Sequence, residues 1–244
     1  MSQVPGKILI IIPARGGSKG IVGKNLKQIH GKSLTEWAML SALELPFEKR
    51  IVLSSDSPEI LALTSEYQQV TPSIRSQELS SDFVPDYQVI ISELQKFEKS
   101  MSETFHGVVL LQPTSPIRNP VTLQKCIEAI LIDGYSSAWT VTPVPVKFHP
   151  RKQLSLQNES LKLVIESPLV IARQELDETL IRTGVCYAYT RKTALGDPKL
   201  LGSNARGIFC RWPFVNIDSL QDLKYAQEIS ERVGDRLVPR GEIV

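Results

Sequence analysis

Residues Ile8 to Asn25 read ILIIIPARGGSKGIVGKN, and this stretch decides how the rest of the chain is understood. Ile8-Leu9-Ile10-Ile11-Ile12 runs without polar alternation, the pattern of a strand covered on both faces. Pro13 ends the run because it has no N–H to give to a ladder. Gly16, Gly17, Gly20 and Gly23 then allow a tight turn whose backbone N–H groups approach a ligand closely. Arg15, Lys19 and Lys24 place positive charge on the same loop. Buried strand, glycine loop and cations read together as a cradle for a polyphosphate. The spacing is neither G-x-x-x-x-G-K-[ST] nor G-x-G-x-x-G, so the two commonest phosphate fingerprints do not apply.

Outward from this stretch, strands and helices alternate. Leu34 to Leu45 has apolar residues at helical spacing and is closed by Pro46; Arg50 to Asp56 reads as a second buried strand. Ser57-Pro58-Glu59 opens another helix, with proline where its missing donor costs little. Asp86 to Phe97 and Thr122 to Ile132 are further helices; Gly107 to Gln112, Ser137 to Val141 and Gly184 to Tyr189 are strands. Phe214 to Asp218 reads as a last strand, and Ser219 to Val233 as the closing helix, with Ser219 as N-cap and Asp222 three residues on. The expected class is α/β, a mostly parallel Rossmann-like sheet flanked by helices. Residues 1–244 are expected to form a single domain, interrupted at about 143–180 by a proline-rich, polar insertion that suits a lid or dimerisation arm.

Composition narrows the functional classes. With 244 residues and 42% hydrophobic content, the chain has enough apolar material for a real core. A formal charge of +2 is too small for a nucleic-acid coat, so an anion site has to be local. No apolar run reaches the length of a membrane span and the first residues lack signal-peptide form, so a cytoplasmic protein is expected. Cys126, Cys186 and Cys210 are odd in number and scattered, which suits buried thiols better than disulfides or zinc.

Beyond the first loop, Gln112-Pro113-Thr114-Ser115-Pro116-Ile117-Arg118 follows the carboxyl end of a strand, where open α/β sheets bind ligands. Two prolines stiffen it, while Gln112, Thr114, Ser115 and Arg118 offer hydrogen bonds. In Val215-Asn216-Ile217-Asp218, period two puts Asn216 and Asp218 on one face, within reach of a single hard cation. Asp218 acting as a cap of the last helix is the alternative.

Several of these segments resemble the acylneuraminate cytidylyltransferase family, the CMP-sugar synthetases that activate sialic acid and related nonulosonic acids. ARGGSKG…KN matches the family's first motif at Arg15, Gly17, Ser18, Lys19, Gly20, Lys24 and Asn25, and LLQPTSPIR is close to LLQPTSPLR. Arg75 to Asp82 resembles R-P-x-E-L-A-x-D, with Ser76 in place of proline. Arg173-Gln174-Glu175-Leu176 with Thr183-Gly184-Val185-Cys186-Tyr187 resembles R-Q-[DE]-L-P and N-G-A-I-Y, with Asp177 for proline and Thr183 for asparagine. Val215 to Asp218 resembles I-D-I-D with its first carboxylate replaced by an amide. These segments follow the family's order from Ile8 to about Gln227.

The resemblance implies a nucleotidyltransferase-type fold and a reaction. The anomeric hydroxyl of a 2-keto-3-deoxy sugar acid attacks the α-phosphorus of CTP, releasing pyrophosphate. Positioning and charge neutralisation dominate such transfers. Implied nucleotide contacts are Ala14, Arg15, Gly16, Gly17, Ser18, Lys19, Asn25 and Arg75, with Arg75 reading cytosine. Gln112, Thr114, Ser115, Lys147, Arg173 and Thr183 are implied for the sugar acid, Arg173 gripping its carboxylate as a bidentate fork; His149 is held in reserve. Arg15, Lys19 and Asp218 are the implied catalytic residues, and Asp218 with Asn216 the ligands of Mg2+ (or Mn2+). A homodimer is implied as well. The alternatives are a nucleotidyltransferase for another sugar, such as Kdo or an amino-Kdo, and a non-catalytic nucleotide-binding homologue. Lys19→Ala is expected to abolish turnover while leaving the far-UV circular dichroism and melting temperature unchanged; near-normal turnover would remove the loop from the mechanism.

Overall fold

Ile8–Pro13 forms strand β1, and its residues sort by parity onto two cores. Ile8, Ile10 and Ile12 pack on one face of a sheet and Leu9 and Ile11 on the other, none with exposed surface. That double burial is why the sequence shows no alternation. The computed structural model describes residues 6–18, 20–81, 83–166, 174, 176–234 and 237–238.

After β1 come the two-residue strands β2 (Gln28–Ile29) and β3 (Lys32–Ser33), helix α1 (Leu34–Leu43), β4 (Lys49–Ser55), the short α2 (Pro58–Ala62) and β5 (Val70–Ile74). Next are α3 (Asp86–Met101), β6 (Gly107–Leu110), α4 (Pro120–Leu131) and β7 (Ser137–Pro143). The hairpin β8 (Leu154–Gln157) and β9 (Ser160–Leu163) is followed by β10 (Leu180–Thr190), α5 (Arg191–Gly196), β11 (Ala205–Phe209) and α6 (Leu220–Val233).

Seven strands make one sheet in the order β11-β7-β10-β6-β1-β4-β5. β1 is parallel to β4 and β6, β4 is parallel to β5, and β10 runs antiparallel to β6. α1, α4 and α6 cover one face through residues such as Met39, Ile127 and Ile229, and α3 and α5 cover the other through Ile90, Leu94 and Ala194. The chain divides into two compact units, Met1–Thr140 with Thr183–Val244, and Val141–Arg182. The second spans the stretch where the sequence loses its strand–helix rhythm. Within it, Leu154 pairs with Leu163 and Leu156 with Leu161, which puts four exposed leucines on one face of a two-stranded ribbon.

The structure departs from the sequence reading in several places. Phe214 to Asp218 is not a strand: its one backbone tie to the sheet region is Ile217 N–H to the Thr114 carbonyl, 2.8 Å. Both sides of β6, the nearest strand, are already taken by β1 and β10. The inside–outside alternation survives without a ladder, since Val215 and Ile217 are buried while Asn216 and Asp218 are exposed. β5 and β11 escape the sequence reading because they are the two edges of the sheet, where short strands suffice and Pro72 is tolerated. The six-residue α5 also goes unread.

The closing helix is capped by Ser219, whose Oγ accepts from the Asp222 N–H while Asp222 accepts from the N–H groups of Ser219 and Asp218. Asp218 is therefore free of the capping role. Ser219→Ala should lower unfolding free energy by about 1 kcal/mol in urea titration. Asp218→Asn should change it by less than about 0.5 kcal/mol, and a reversed order would return the cap to Asp218.

Candidate active site

β1, β4, β5 and β6 are parallel and end at the same edge of the sheet, each running into a polar loop. β4 and β6 lie on opposite sides of β1, so the loops leaving β1 and β6 part over a crevice, the place where open sheets take ligands. Backbone bonds tie these loops together. The Ala14 N–H donates to the Ser54 carbonyl at 2.9 Å and the Arg75 N–H to the Ser55 carbonyl at 2.8 Å. Gly16 N–H donates to Asp56 Oδ1 at 2.8 Å, and a Cβ on Gly16 would lie 2.8 Å from that of Ser57.

The crevice holds a cavity of about 260 Å³. Arg15, Ser18, Lys24 and Asn25 line it from the first loop, Arg75 from the end of β5, and Asp86 from the first turn of α3. Gln112 and Thr114 close the side beneath β6. Three cations and one carboxylate give the lining a surplus of positive charge. Asn25 is 7% exposed; its Nδ2 donates to the Arg15 carbonyl at 2.9 Å, but its Oδ1 has no partner among the described residues. A buried acceptor left unmatched is unfavourable unless a ligand or water supplies the donor. Arg75 gives Nε–H to Ser54 Oγ at 3.1 Å and Nη2–H to the Ser54 carbonyl at 2.7 Å. Burial pushes its guanidinium pKa down, opposed by the charges of Glu93, Asp56 and Asp86. Gln112 Nε2 donates to Asp86 Oδ2 at 3.1 Å.

The segment Val215 to Asp218 lies against the first loop. Lys24 Nζ donates to the Ile217 carbonyl and to Asp218 Oδ1, both at 2.9 Å. Asn216 Nδ2 reaches toward Asp218 Oδ2 at 3.4 Å. Gly20 rests on this segment so closely that a Cβ there would stand 2.5 Å from the Asp218 carbonyl oxygen. Among the described residues no three His, Cys, Asp or Glu side chains converge as a ready metal site. One carboxylate and one amide oxygen on a shared face, with an ammonium beside them, fit a hard cation only as part of a shell that phosphate and water complete.

The sequence matches the cytidylyltransferase family over residues 9–192. The chain belongs to that family. The CMP-N,N'-diacetyllegionaminic acid synthase of Legionella pneumophila is 37% identical over 141 residues, spanning 58% of this chain and 60% of that protein. The pseudaminic acid cytidylyltransferase of Campylobacter jejuni is 26% identical over 227 residues, spanning 91% of this chain and 95% of that protein. A solved structure of CMP:2-keto-3-deoxy-manno-octonic acid synthetase complexed with CTP superposes with a TM-score of 0.67 at 17% identity, covering 93% of this chain and 99% of that one. At that identity the superposition speaks for the fold alone. The chain is thus a nucleotidyltransferase of the cytidylyltransferase family.

In this cytidylyltransferase the structure gathers Arg15, Ser18, Asn25, Arg75, Gln112 and Thr114 around one cavity. Ala14 is buried behind it and Gly17 faces open space. Lys19 and Arg173 lie outside the described residues. Ser115 and Thr183 sit behind the cavity rather than on its lining. Ser115 is fully buried and donates to the Thr183 carbonyl at 3.2 Å. Thr183 is 1% exposed, and its hydroxyl donates to Thr140 Oγ1 at 2.8 Å. The Gly184 between them has φ +76, and a Cβ would stand 2.6 Å from Ser115 Oγ, so no side chain fits there. In the second unit, Lys147 is exposed with its ammonium over Phe148, whereas His149 is buried with both ring nitrogens engaged, by the Arg151 N–H and the Asp177 carbonyl. That makes His149 a structural residue.

Sequence reasoning missed Asp86 and the pairing of Lys24 with Asp218. Asp86 announces itself only as an acid in a helix first turn after Pro85, a common stabilising arrangement. The Gly20 contact yields a prediction. Gly20→Ala must push the loop off Asp218 and should lower kcat/KM for the nucleotide about 100-fold, since ångström-scale misplacement costs that much. Gly196→Ala, where a Cβ meets nothing within 4 Å, is the control and should leave it unchanged.

Proposed function

We propose that this cytidylyltransferase joins CTP to a nonulosonic acid, a sialic-acid-like 2-keto-3-deoxy sugar acid, in the cytoplasm. The anomeric hydroxyl oxygen forms a bond to the α-phosphorus of CTP, the bond from that phosphorus to the pyrophosphate oxygen breaks, and the hydroxyl proton passes to water. The products are a CMP-sugar and pyrophosphate. The carrying observation is the cation-lined cavity at the switch point, with the unmatched Asn25 Oδ1 set among Arg15, Lys24 and Arg75.

Each residue has a role in this reading. Arg15, with Lys19 from the same loop, neutralises the triphosphate and the charge that grows on the departing pyrophosphate. Asn25 Oδ1 accepts from a ribose hydroxyl. Arg75, anchored on Ser54, reads the base. Gln112 and Thr114 face the acceptor, and Ser115 with Thr183 holds the wall around Gly184 in place. Lys147 and Arg173 are assigned to the acceptor on the sequence motifs. Asp218 and Asn216 would hold Mg2+ (or Mn2+), which when bound polarises the α-phosphate. Lys24 gives Asp218 a partner when no cation is there. The four exposed leucines of the β8–β9 ribbon favour burial against a second copy, which supports reading the protein as a homodimer; a monomeric mass in sedimentation at micromolar concentration would remove that assignment.

Pyrophosphate release tests the reaction. With CTP and magnesium, release is expected with N-acetylneuraminate, legionaminate or pseudaminate, and not with Kdo, nor when UTP, ATP or GTP replaces CTP. Release with Kdo alone, or with none of the acids, would overturn the reading. In the same assay Asn216→Asp restores a second carboxylate and should lower the magnesium concentration for half-maximal rate about tenfold.

A further inference from the structure

A buried carboxylate lies behind the cavity and outside its lining. Glu93, on the inner face of α3, is 3% exposed. Its Oε1 accepts from Ser54 Oγ at 2.5 Å and its Oε2 from Ser73 Oγ at 2.7 Å. Each hydroxyl accepts in turn from a cation: Ser54 from Arg75 Nε at 3.1 Å, and Ser73 from Lys96 Nζ at 2.7 Å. Ser54 and Ser73 are themselves buried, at 0% and 1% exposure. A hydroxyl has one proton. With both serine protons drawn to the carboxylate, the oxygen lone pairs are turned to the two cations. A chain of alternating donors results, Arg75 to Ser54 to Glu93 and Lys96 to Ser73 to Glu93, in which every bond polarises the next.

This chain fixes the orientation of the Arg75 fork. Nε and Nη2 are both spent on Ser54, so the end of the guanidinium that carries Nη1 is the part left for a ligand. Arg75 lines the cavity; Glu93 does not. We propose that Glu93 is a positioning residue for nucleotide recognition, holding the Ser54 hydroxyl as an acceptor so that Arg75 presents one set edge to the base of CTP. The proposal rests on the reading of the cavity as the CTP site. A neutral amide in place of the carboxylate cannot do the same work: its NH2 faces one of the two serines, which then accepts from it and turns its own proton toward a cation.

Glu93→Gln, Ser54→Ala and Arg75→Ala, alone and with the first two each combined with the third, test this by titration calorimetry with CTP and UTP. The Arg75 Nε–H resonance in ligand-free protein is an independent readout. Glu93→Gln is expected to raise the CTP Kd about tenfold, to reduce the preference for CTP over UTP, and to speed solvent exchange of the Arg75 Nε–H. In the Arg75→Ala background it should add nothing. The proposal is overturned if Glu93→Gln leaves both the Kd and the Nε–H signal as in the wild type, or raises the Kd by the same factor when Arg75 is absent. Should Glu93→Gln not fold, Ser54→Ala gives the same comparison while keeping Glu93 bonded to Ser73. A wild-type protein that binds no cytidine nucleotide overturns the functional reading instead, and the Nε–H signal then decides the positioning by itself.

Discussion

The carbonyl oxygen of Ser54 is the fixed point on which the site is built. Sitting at the end of β4, it accepts the Ala14 N–H that starts the glycine loop and the Arg75 Nη2–H that follows β5. A carbonyl has two lone pairs, and here both are used to join three successive loops. The position of that oxygen is set in turn by the parallel pairing of β1 with β4, in which Pro13 lies opposite Ser54. Sheet register and site geometry are therefore one constraint: a slip of a single residue would exchange the side chains of β1 between the two cores and separate the loops together.

Charge supplies the second constraint. Arg15, Lys24 and Arg75 surround a cavity with Asp86 as its carboxylate, and the excess of positive charge is local, since the whole chain carries only +2. Arg118 lies deeper, fully buried beneath the β6 loop, where burial pushes its pKa down to about 10. It remains a cation at neutral pH. Its Nε donates to the Val185 carbonyl at 3.1 Å and its Nη2 to the Gln112 carbonyl, while Nη1 has no partner among the described residues. A planar fork bridging two carbonyls locks the β6 loop to β10, a task a lysine cannot perform with the same geometry. The unmatched nitrogen leaves a buried positive charge under the floor of Gln112, adding to the field that favours an anion above it.

The sequence carried the centre of the fold and the chemistry of its loops; edges and contacts came only with the structure. The run Ile8 to Ile12 was legible because burial on both faces leaves no other pattern, and Ser57 and Ser219 marked helix starts through a cap chemistry that is local. β5 was invisible because an edge strand makes few demands on sequence, and Pro72 argues against any other kind. Phe214 to Asp218 shows the converse error. Alternation records which side of a segment faces the core, and it persists here although no neighbour completes a ladder. Arg75 and Asn25 could be picked out by motif, but the reasons they matter, a carbonyl anchor in one case and an unmatched oxygen in the other, are properties of packing. Glu93 had no signal at all, for a glutamate on a helix is ordinarily solvated.

Thr183 and Asn216 depart from the family motifs, and the structure gives the two departures different weight. At Thr183 the side chain is turned into the interior, where its hydroxyl bonds Thr140 and its carbonyl receives Ser115. A threonine satisfies that pocket with a short branched side chain, so the change stays within the wall and reaches the cavity only through Gly184, whose missing Cβ keeps Ser115 and Gln112 close. At Asn216 the side chain is exposed and beside Asp218, and its amide Nδ2 now faces a carboxylate oxygen that an aspartate would have repelled. The substitution removes like-charge repulsion from the resting site and, with Lys24 on the other oxygen of Asp218, leaves that carboxylate neutralised without any cation. The Lys24–Asp218 pair and the close approach of Gly20 to the Asp218 carbonyl therefore act on the same segment, and the protein's own groups tie both ends of the stretch from Gly20 to Lys24 to it.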